Sequence, residues 1–127
     1  GGSVKVDVDI DAGVIGDTAT NLATASKEEL KEGVEQYKAS AKIADEEGFP
    51  EIAEHFRAIA KIEETHRRRF DIYLKQVKDG TVWKREKPIK WKCLVCGYIY
   101  EGTTPPDPCP ACDHSYQHYM ALDVALD

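Results

Sequence analysis

The four cysteines of this 127-residue chain are Cys93, Cys96, Cys109 and Cys112, two C-x2-C pairs with twelve residues between them. Each pair is a knuckle, a short loop that aims two thiolates at one ion, and two facing knuckles make a tetrahedral S4 cage. Gly97, directly after the first pair, permits the backbone turn that points amide N–H groups at the sulfurs. A module of roughly 35 residues is too small to be held by core burial alone, so the ion supplies what the core cannot. Confinement of every cysteine to one paired pattern argues against disulfide scaffolding. Spacing alone leaves structural zinc and iron both open. Trp91, Tyr98 and Tyr100, expected to crowd the first knuckle, make the apolar aromatic setting that suits an Fe(Cys)4 centre.

Residues 17–80 read as two helices. Asp17 and Thr18 are good N-caps, and the stretch from Ala19 to Glu47 is rich in Ala, Glu, Lys and Leu. Gly48 stops the first helix, Pro50 sits in the first turn of the second, and Gly80 ends that one after about Asp79. So short a turn makes the helices antiparallel neighbours in a hairpin. Upstream, residues 1–16 open on Val4-Lys5-Val6-Asp7-Val8-Asp9-Ile10, the alternation of an extended strand or arm, broken by Gly13 and Gly16. With no strand beside it, this arm is expected to be a crossover lying on something else. Residues 81–90 are a Lys/Arg/Glu connector containing Pro88, and 91–127 form the cysteine module. The expected fold class is α with a small metal-bound β module.

The second helix carries a seam of Ile52, Phe56, Ile59, Glu63, His66, Phe70, Tyr73 and Val77. Glu63 and His66 sit at i, i+3 in the middle of an otherwise apolar stripe. An ionised glutamate is costly in such a place unless it is paired or metal-bound. Glu64, off the seam, is expected to pair with Arg68 at i+4 on the solvent face. The first helix offers the seam Leu22, Ala25, Glu29, Glu32, Gln36, Ala39, Ile43 beside a wholly apolar one, Leu30, Val34, Tyr37, Ala41, Ala44. Periodicity therefore leaves Glu29 and Glu32 either at the edge of the buried face or facing solvent. An antiparallel hairpin brings them level with Glu63 and His66, because each run lies about halfway along its helix from Gly48. Carboxylates with an imidazole favour iron or manganese over a thiolate-loving ion. Carboxylate-bridged di-iron bundles take a Glu from each of two helices and a Glu-x-x-His from each of the other two, and this chain supplies one of each. Something else is expected to complete such a bundle. His55, His114 and His118 read as surface residues, and Arg67-Arg68-Arg69 as a solvated basic run.

A net charge of −6 and a pI of about 5.2 argue against a general nucleic-acid binder. No apolar run approaches the roughly 18 residues of a membrane span, and the first residues lack a basic stretch followed by an apolar core. The expectation is a soluble, cytoplasmic protein without membrane or nucleic-acid partners.

The segments Ala12-Gly13-Val14-Ile15-Gly16-Asp17-Thr18, Glu46-Glu47-Gly48-Phe49-Pro50-Glu51-Ile52-Ala53 and Phe56-Arg57-Ala58-Ile59-Ala60 resemble the second half of rubrerythrins. So does the stretch from Trp91 through Cys96-Gly97-Tyr98-Ile99-Tyr100-Glu101-Gly102, Pro105-Pro106 and Cys109-Pro110-Ala111-Cys112, including the short gap between knuckles. The resemblance implies a helical hairpin forming half of a ferritin-like four-helix bundle, followed by a rubredoxin-like domain. It places Glu29 and Glu32 on the third-helix carboxylates and Glu63 and His66 on the fourth-helix E-x-x-H, all as di-iron ligands. Glu32 matches the carboxylate that leaves iron on reduction, and Tyr37 a tyrosine that hydrogen-bonds a carboxylate of the same site. Cys93, Cys96, Cys109 and Cys112 would hold the mononuclear Fe(Cys)4 centre, with zinc as a substitute. Ser115 stands after His114 where the family usually has proline. The family's first hairpin, with its own Glu and E-x-x-H, has no counterpart in this sequence, so the resemblance implies either a processed, split or truncated rubrerythrin completed by that hairpin, or two copies of this hairpin assembled together.

The activity this implies is a non-haem iron peroxidase, reducing hydrogen peroxide at the di-iron site with electrons relayed by Fe(Cys)4. A separate NADH-linked reductase would supply those electrons, since no Gly-rich dinucleotide loop occurs here. The alternative is an electron-transfer or zinc-ribbon module whose helical hairpin does no chemistry.

Overall fold

The computed structural model describes residues 2–9 and 13–124; Ile10 of the alternating arm and Ala12 of the resembling segment lie outside the described residues. Residues 2–9 form no strand, and Val4, Val6 and Val8 are exposed. Alternation alone does not make a strand without a partner for its ladder.

The hairpin starts where Asp17 caps it. Its carboxylate accepts from the Thr20 N–H at 2.8 Å, which holds that carboxyl below the usual range. Helix α1 (Thr18–Glu28) then passes into a π-helical segment, Glu29–Glu35, and continues as α2 (Gln36–Glu46). Gly48, at φ +83°, turns the chain, and α3 (Pro50–Asp79) runs back antiparallel with proline in its first turn. Gly80, at φ +65°, closes α3, and the Thr81 N–H reaches the Gln76 carbonyl at 2.9 Å. Among the described residues no helix is long and apolar enough to cross a membrane.

The expected single α-helix over 19–47 is corrected by the π segment, and the correction decides which seam is buried. A π turn holds i→i+5 hydrogen bonds, so it inserts one residue into the helical register. Before it, the first seam faces α3, with Ala25 and Glu29 half-buried. After it, Gln36, Ala39 and Ile43 of that seam are exposed, whereas Ala41 and Ala44 of the neighbouring seam are buried, as Val34 of that seam already is within the segment. The helix hands its buried face from one stripe to the next.

Small residues let the helices approach: Ala41, Ala44 and Ala53 form a buried cluster backed by Phe56. The α3 seam is not the inside of this contact. Ile52 is exposed, while Phe56, Ile59, Glu63, His66, Phe70, Tyr73 and Val77 are all half-buried, so the seam borders a groove open to solvent on one side. The expected burial of Glu63 in a core is corrected accordingly, since two helices cover the seam from one direction only. Polar ties brace the hairpin: the Arg57 guanidinium reaches Asp45 at 2.7 Å, and buried Ser26 donates to Asp71 at 2.6 Å. Arg67 holds Asp71 and grips Glu64 through two hydrogen bonds of 2.7 and 3.0 Å. Arg67 at i+3 is thus the forked partner of Glu64 and lowers its pKa, with Lys38 and the expected Arg68 at i+4 adding to the attraction.

The C-terminal module is a three-stranded antiparallel sheet, ordered β2 (Ile99–Gly102), β1 (Ile89–Cys93), β3 (Tyr119–Ala121). Trp91 faces Tyr100 on one side and Ala121 on the other, and Cys93 faces Tyr119. The core is Trp91, Cys93, Cys109, Tyr119 and Ala121. Residues read as connector also pack here. Trp83 Nε1 donates to the Tyr119 carbonyl at 3.1 Å, and Arg85 lies over the Trp91 ring while pairing with Asp123.

Candidate metal centres

The two knuckles are built alike. The Gly97 N–H bonds the Cys93 carbonyl at 2.9 Å, and the Asp113 N–H bonds the Cys109 carbonyl at 2.9 Å. The Cys93 N–H reaches the Tyr98 carbonyl and the Cys109 N–H the His114 carbonyl, both at 2.8 Å. Positive φ recurs at the same place in each: Gly97 at +83° and Asp113 at +58°. Asp113 went unread in the sequence, although its position directly after the second C-x2-C was the available signal.

The loops bring the four sulfurs into one cluster, their atoms within 4.8 Å of one another. Cys93 and Cys112 sulfurs are 3.8 Å apart, as are those of Cys96 and Cys109. A tetrahedral ion with metal–sulfur bonds of about 2.3 Å sets sulfurs about 3.8 Å apart, so the cage has the right size. The thiols of Cys93, Cys109 and Cys112 are shifted by one another and by their surroundings. N–H groups of Cys96 and Val95 help hold the Cys93 thiol low against burial. Burial pushes Cys109 up, but the Tyr119 hydroxyl and the N–H groups of Ala111 and Cys112 outweigh it, taking the thiol down to about 6. The His114 N–H favours the Cys112 thiolate, yet burial and the other three cysteines push it up to about 12. Four thiolates cannot share this space without a cation, which is the chemistry of a metal cage.

Of the aromatic residues expected around the first knuckle, Trp91 is fully buried beside Cys93, but Tyr98 and Tyr100 are exposed. Tyr119 takes that place, 4% exposed. No local signal marks it, because β1–β3 pairing across 26 positions delivers it. His114 and His118 are exposed, edge-to-face with centroids 5.2 Å apart, and His55 is exposed on α3.

The second cluster lies in the hairpin groove. Glu29 from the π segment meets Glu63 and His66 from α3, each able to bring one ligand atom within 4.8 Å of the others. His66 Nδ1 is 2.8 Å from Glu63 Oε2 and 3.7 Å from Glu29 Oε1. Burial first, then the Glu63 carboxyl, raises the Glu29 pKa, with His66 opposing. The groove, about 390 Å³, is also lined by Glu28, Glu32, Gly33, Tyr37 and Phe70.

Glu32 is not brought into the cluster. It is exposed at the rim, because the wider π turn takes i+3 away from the face of i and leaves i+4 close to it. Gly33 therefore lies beneath Glu29 and against Glu63. Tyr37 reaches the groove and packs on Phe56 with ring centroids 5.9 Å apart. Glu28, the last residue of α1, also lines the groove; its signal in the sequence is its place at i+3 from the seam residue Ala25.

A family model described as rubrerythrin matches residues 17–94, and one described as the rubrerythrin rubredoxin-like domain matches residues 91–120. The chain is 42% identical over 124 residues to a rubrerythrin of Nitratidesulfovibrio vulgaris, covering 98% of this chain and 65% of that protein. It is 43% identical over 122 residues to a rubrerythrin of Porphyromonas gingivalis, covering 96% and 61%. A solved structure of nigerythrin in a mixed-valence state aligns with a TM-score of 0.48 at 22% identity, covering 87% of this chain and 52% of that one. The chain thus spans somewhat under two thirds of the length of these curated relatives. Half of a ferritin-like helical unit followed by a rubredoxin-like module is the architecture present, and the family implies iron. The chain belongs to the rubrerythrin family.

Proposed function

We propose that this chain carries part of a rubrerythrin-type peroxidase, with Glu29, Glu63 and His66 as di-iron ligands and Cys93, Cys96, Cys109 and Cys112 holding Fe(Cys)4. The convergence of Glu29, Glu63 and His66 in an open groove carries the reading. When bound, the di-iron centre supplies the two electrons that, with two protons, reduce hydrogen peroxide to two waters. Glu29 and Glu63 offer hard oxygen donors and His66 a nitrogen donor, the set that suits iron. Glu32 stands at the rim, near enough in sequence and place to join or leave as the centre changes charge. Tyr37 lines the same groove and would orient a carboxylate. The π segment fits this use, since such insertions are frequent at functional sites.

Three ligating residues fall short of two irons, so a Glu and an E-x-x-H from a first hairpin, or the same three residues from a second copy, would complete the set. In this reading residues 1–16 are a crossover arm, 17–80 the di-iron hairpin, 81–90 a connector and 91–127 the rubredoxin-like domain. Cys96 is exposed beside Leu94 and Val95, an apolar rim where a pyridine-nucleotide-linked reductase in the cytoplasm would deliver electrons.

Iron content and anaerobic peroxide consumption, measured together on native-purified protein with its polypeptides checked by mass spectrometry, test the proposal. About three irons per completed unit and peroxide-dependent reoxidation of the reduced protein are expected. One metal per chain and no reoxidation would leave only the electron-transfer or zinc-ribbon module.

A further inference from the structure

The two knuckles are near-equivalent in their backbone, and each directs N–H groups at its first sulfur: Val95 and Cys96 at Cys93, Ala111 and Cys112 at Cys109. One side chain breaks the equivalence. Tyr119, buried in one cluster with Cys109 and Cys93, brings a phenol hydroxyl into the wall of the cage.

That hydroxyl is buried and has no hydrogen-bond partner of good geometry among the described residues. Its surroundings in the core are the cage cysteines Cys109 and Cys93, with Cys112 packed against the same cluster. Its ring cannot swing away to find water. β3 pairing fixes Tyr119 opposite Cys93, Trp83 Nε1 holds its carbonyl at 3.1 Å, and Trp91 and Ala121 pack in the same core. A buried phenol left without a partner is costly, and a phenylalanine of nearly the same shape would avoid that cost. A metal-bound thiolate is a full acceptor, which a neutral thiol is not. A phenol is protonated at neutral pH, so it donates.

We propose that Tyr119 donates a hydrogen bond to the Cys109 sulfur of the iron-loaded cage and so raises the reduction potential of the iron held there. The inference rests on the reading of the cage as an iron site. On one-electron reduction the FeS4 unit goes from net −1 to net −2. A donor aimed at sulfur stabilises the more negative state more, which favours the reduced form. Tyr119 is a tuning residue and takes no part in bond making.

The test uses the full chain reconstituted with iron, while the metal content of the native protein separately tests the iron reading. Tyr119→Phe is expected to keep the four-cysteine iron spectrum and lower the midpoint potential by about 59 mV, a tenfold change in the one-electron equilibrium. A midpoint unmoved by the substitution overturns the proposal. If the variant fails to fold, the unaltered chain is labelled with 3-fluorotyrosine, whose more acidic hydroxyl is a stronger donor. The midpoint should then rise; if it stays where it was, the proposal fails.

Discussion

A Cβ placed on Gly33 would lie 2.7 Å from the Cβ of Glu63 and 2.9 Å from its Cγ, so the π segment and α3 meet backbone against side chain at the Glu29–Glu63–His66 cluster. Glycine there is a matter of space. Alanine is the better helix former by about 1 kcal/mol, and on propensity alone Gly33→Ala would stabilise. The overlap is with atoms at the root of Glu63, which cannot move without the helix, and overpacking of this kind costs about 1–3 kcal/mol. Overlap should win. The expected result is a lower Tm and weakened iron binding in the hairpin, with the visible spectrum of the cysteine centre unchanged. A variant as stable as the parent with full helical iron would contradict this.

Replacing Glu63 or His66 by Ala should remove helix-bound iron and peroxide consumption while leaving the red Fe(Cys)4 absorption. The Glu63 side chain is only 21% exposed and lies among apolar seam residues. In metal-free protein Glu63→Leu should therefore match or exceed the parent's Tm, since it removes a carboxylate from a poorly solvated place. Iron analysis and thermal melts in chelator check both halves.

Much of this was legible in the sequence, for identifiable reasons. Caps, glycine stops and Pro50 mark the hairpin because they act within a few residues of where they stand. The cysteine cage is legible because its ligand spacing is local. The π segment is not, since a 3.6-residue period assumes one register throughout, and the inserted residue is visible only in which seam ends buried. One trace of it was present: Glu32-Gly33-Val34 puts a glycine in mid-helix with no cap or turn to require it. Tyr119 left no trace, because its neighbour Cys93 reaches it by strand pairing. The fork from Arg67 to Glu64 was not legible either, since it belongs to a network that runs on through Asp71 to Ser26 of the other helix.

Cys109→Ser should bleach the red absorption and unfold the module, because the metal supplies most of what a domain of this size needs to fold. The hairpin should survive, with its helical circular dichroism largely retained, since its Ala41–Ala44–Ala53 contact does not involve the sheet. Loss of both signals together would mean that the two parts fold as one unit.

Glu29 gives the metal-free hairpin a pH dependence of definite sign. Its pKa is raised from 4.5, by burial first and then by Glu63. A group raised on folding contributes stability that is fully present below its unfolded value and is lost as pH rises through its folded one. Metal-free protein should accordingly lose Tm as pH climbs from about 4 toward neutrality, and Glu29→Gln should flatten that slope. Melts across this range, read by helical circular dichroism in chelator, decide it. An unchanged slope in the variant would assign the effect elsewhere.

The hairpin should associate through its seam. Ile52 is 46% exposed, and Ile59, Phe70, Tyr73 and Val77 stay half-buried along a groove that has no wall opposite α3 among the described residues. Covering about 400 Å² on each of two partners gains about 20 kcal/mol at roughly 25 cal/mol per Å². Association costs about 4–15 kcal/mol, so a patch of this size can hold a complex together. The partner proposed above is a first hairpin or a second copy, and two copies would bring Glu29, Glu63 and His66 together twice. Sedimentation with intact-mass analysis separates these cases. Ile52→Glu separates assembly from ligation, because position 52 lies eleven residues, about three helical turns, from Glu63. It should shift the protein to a smaller species and lose helical iron although every ligand in this chain is intact. A lone 14.2 kDa chain that still held two helical irons would defeat the argument, since one hairpin brings too few ligands for two ions.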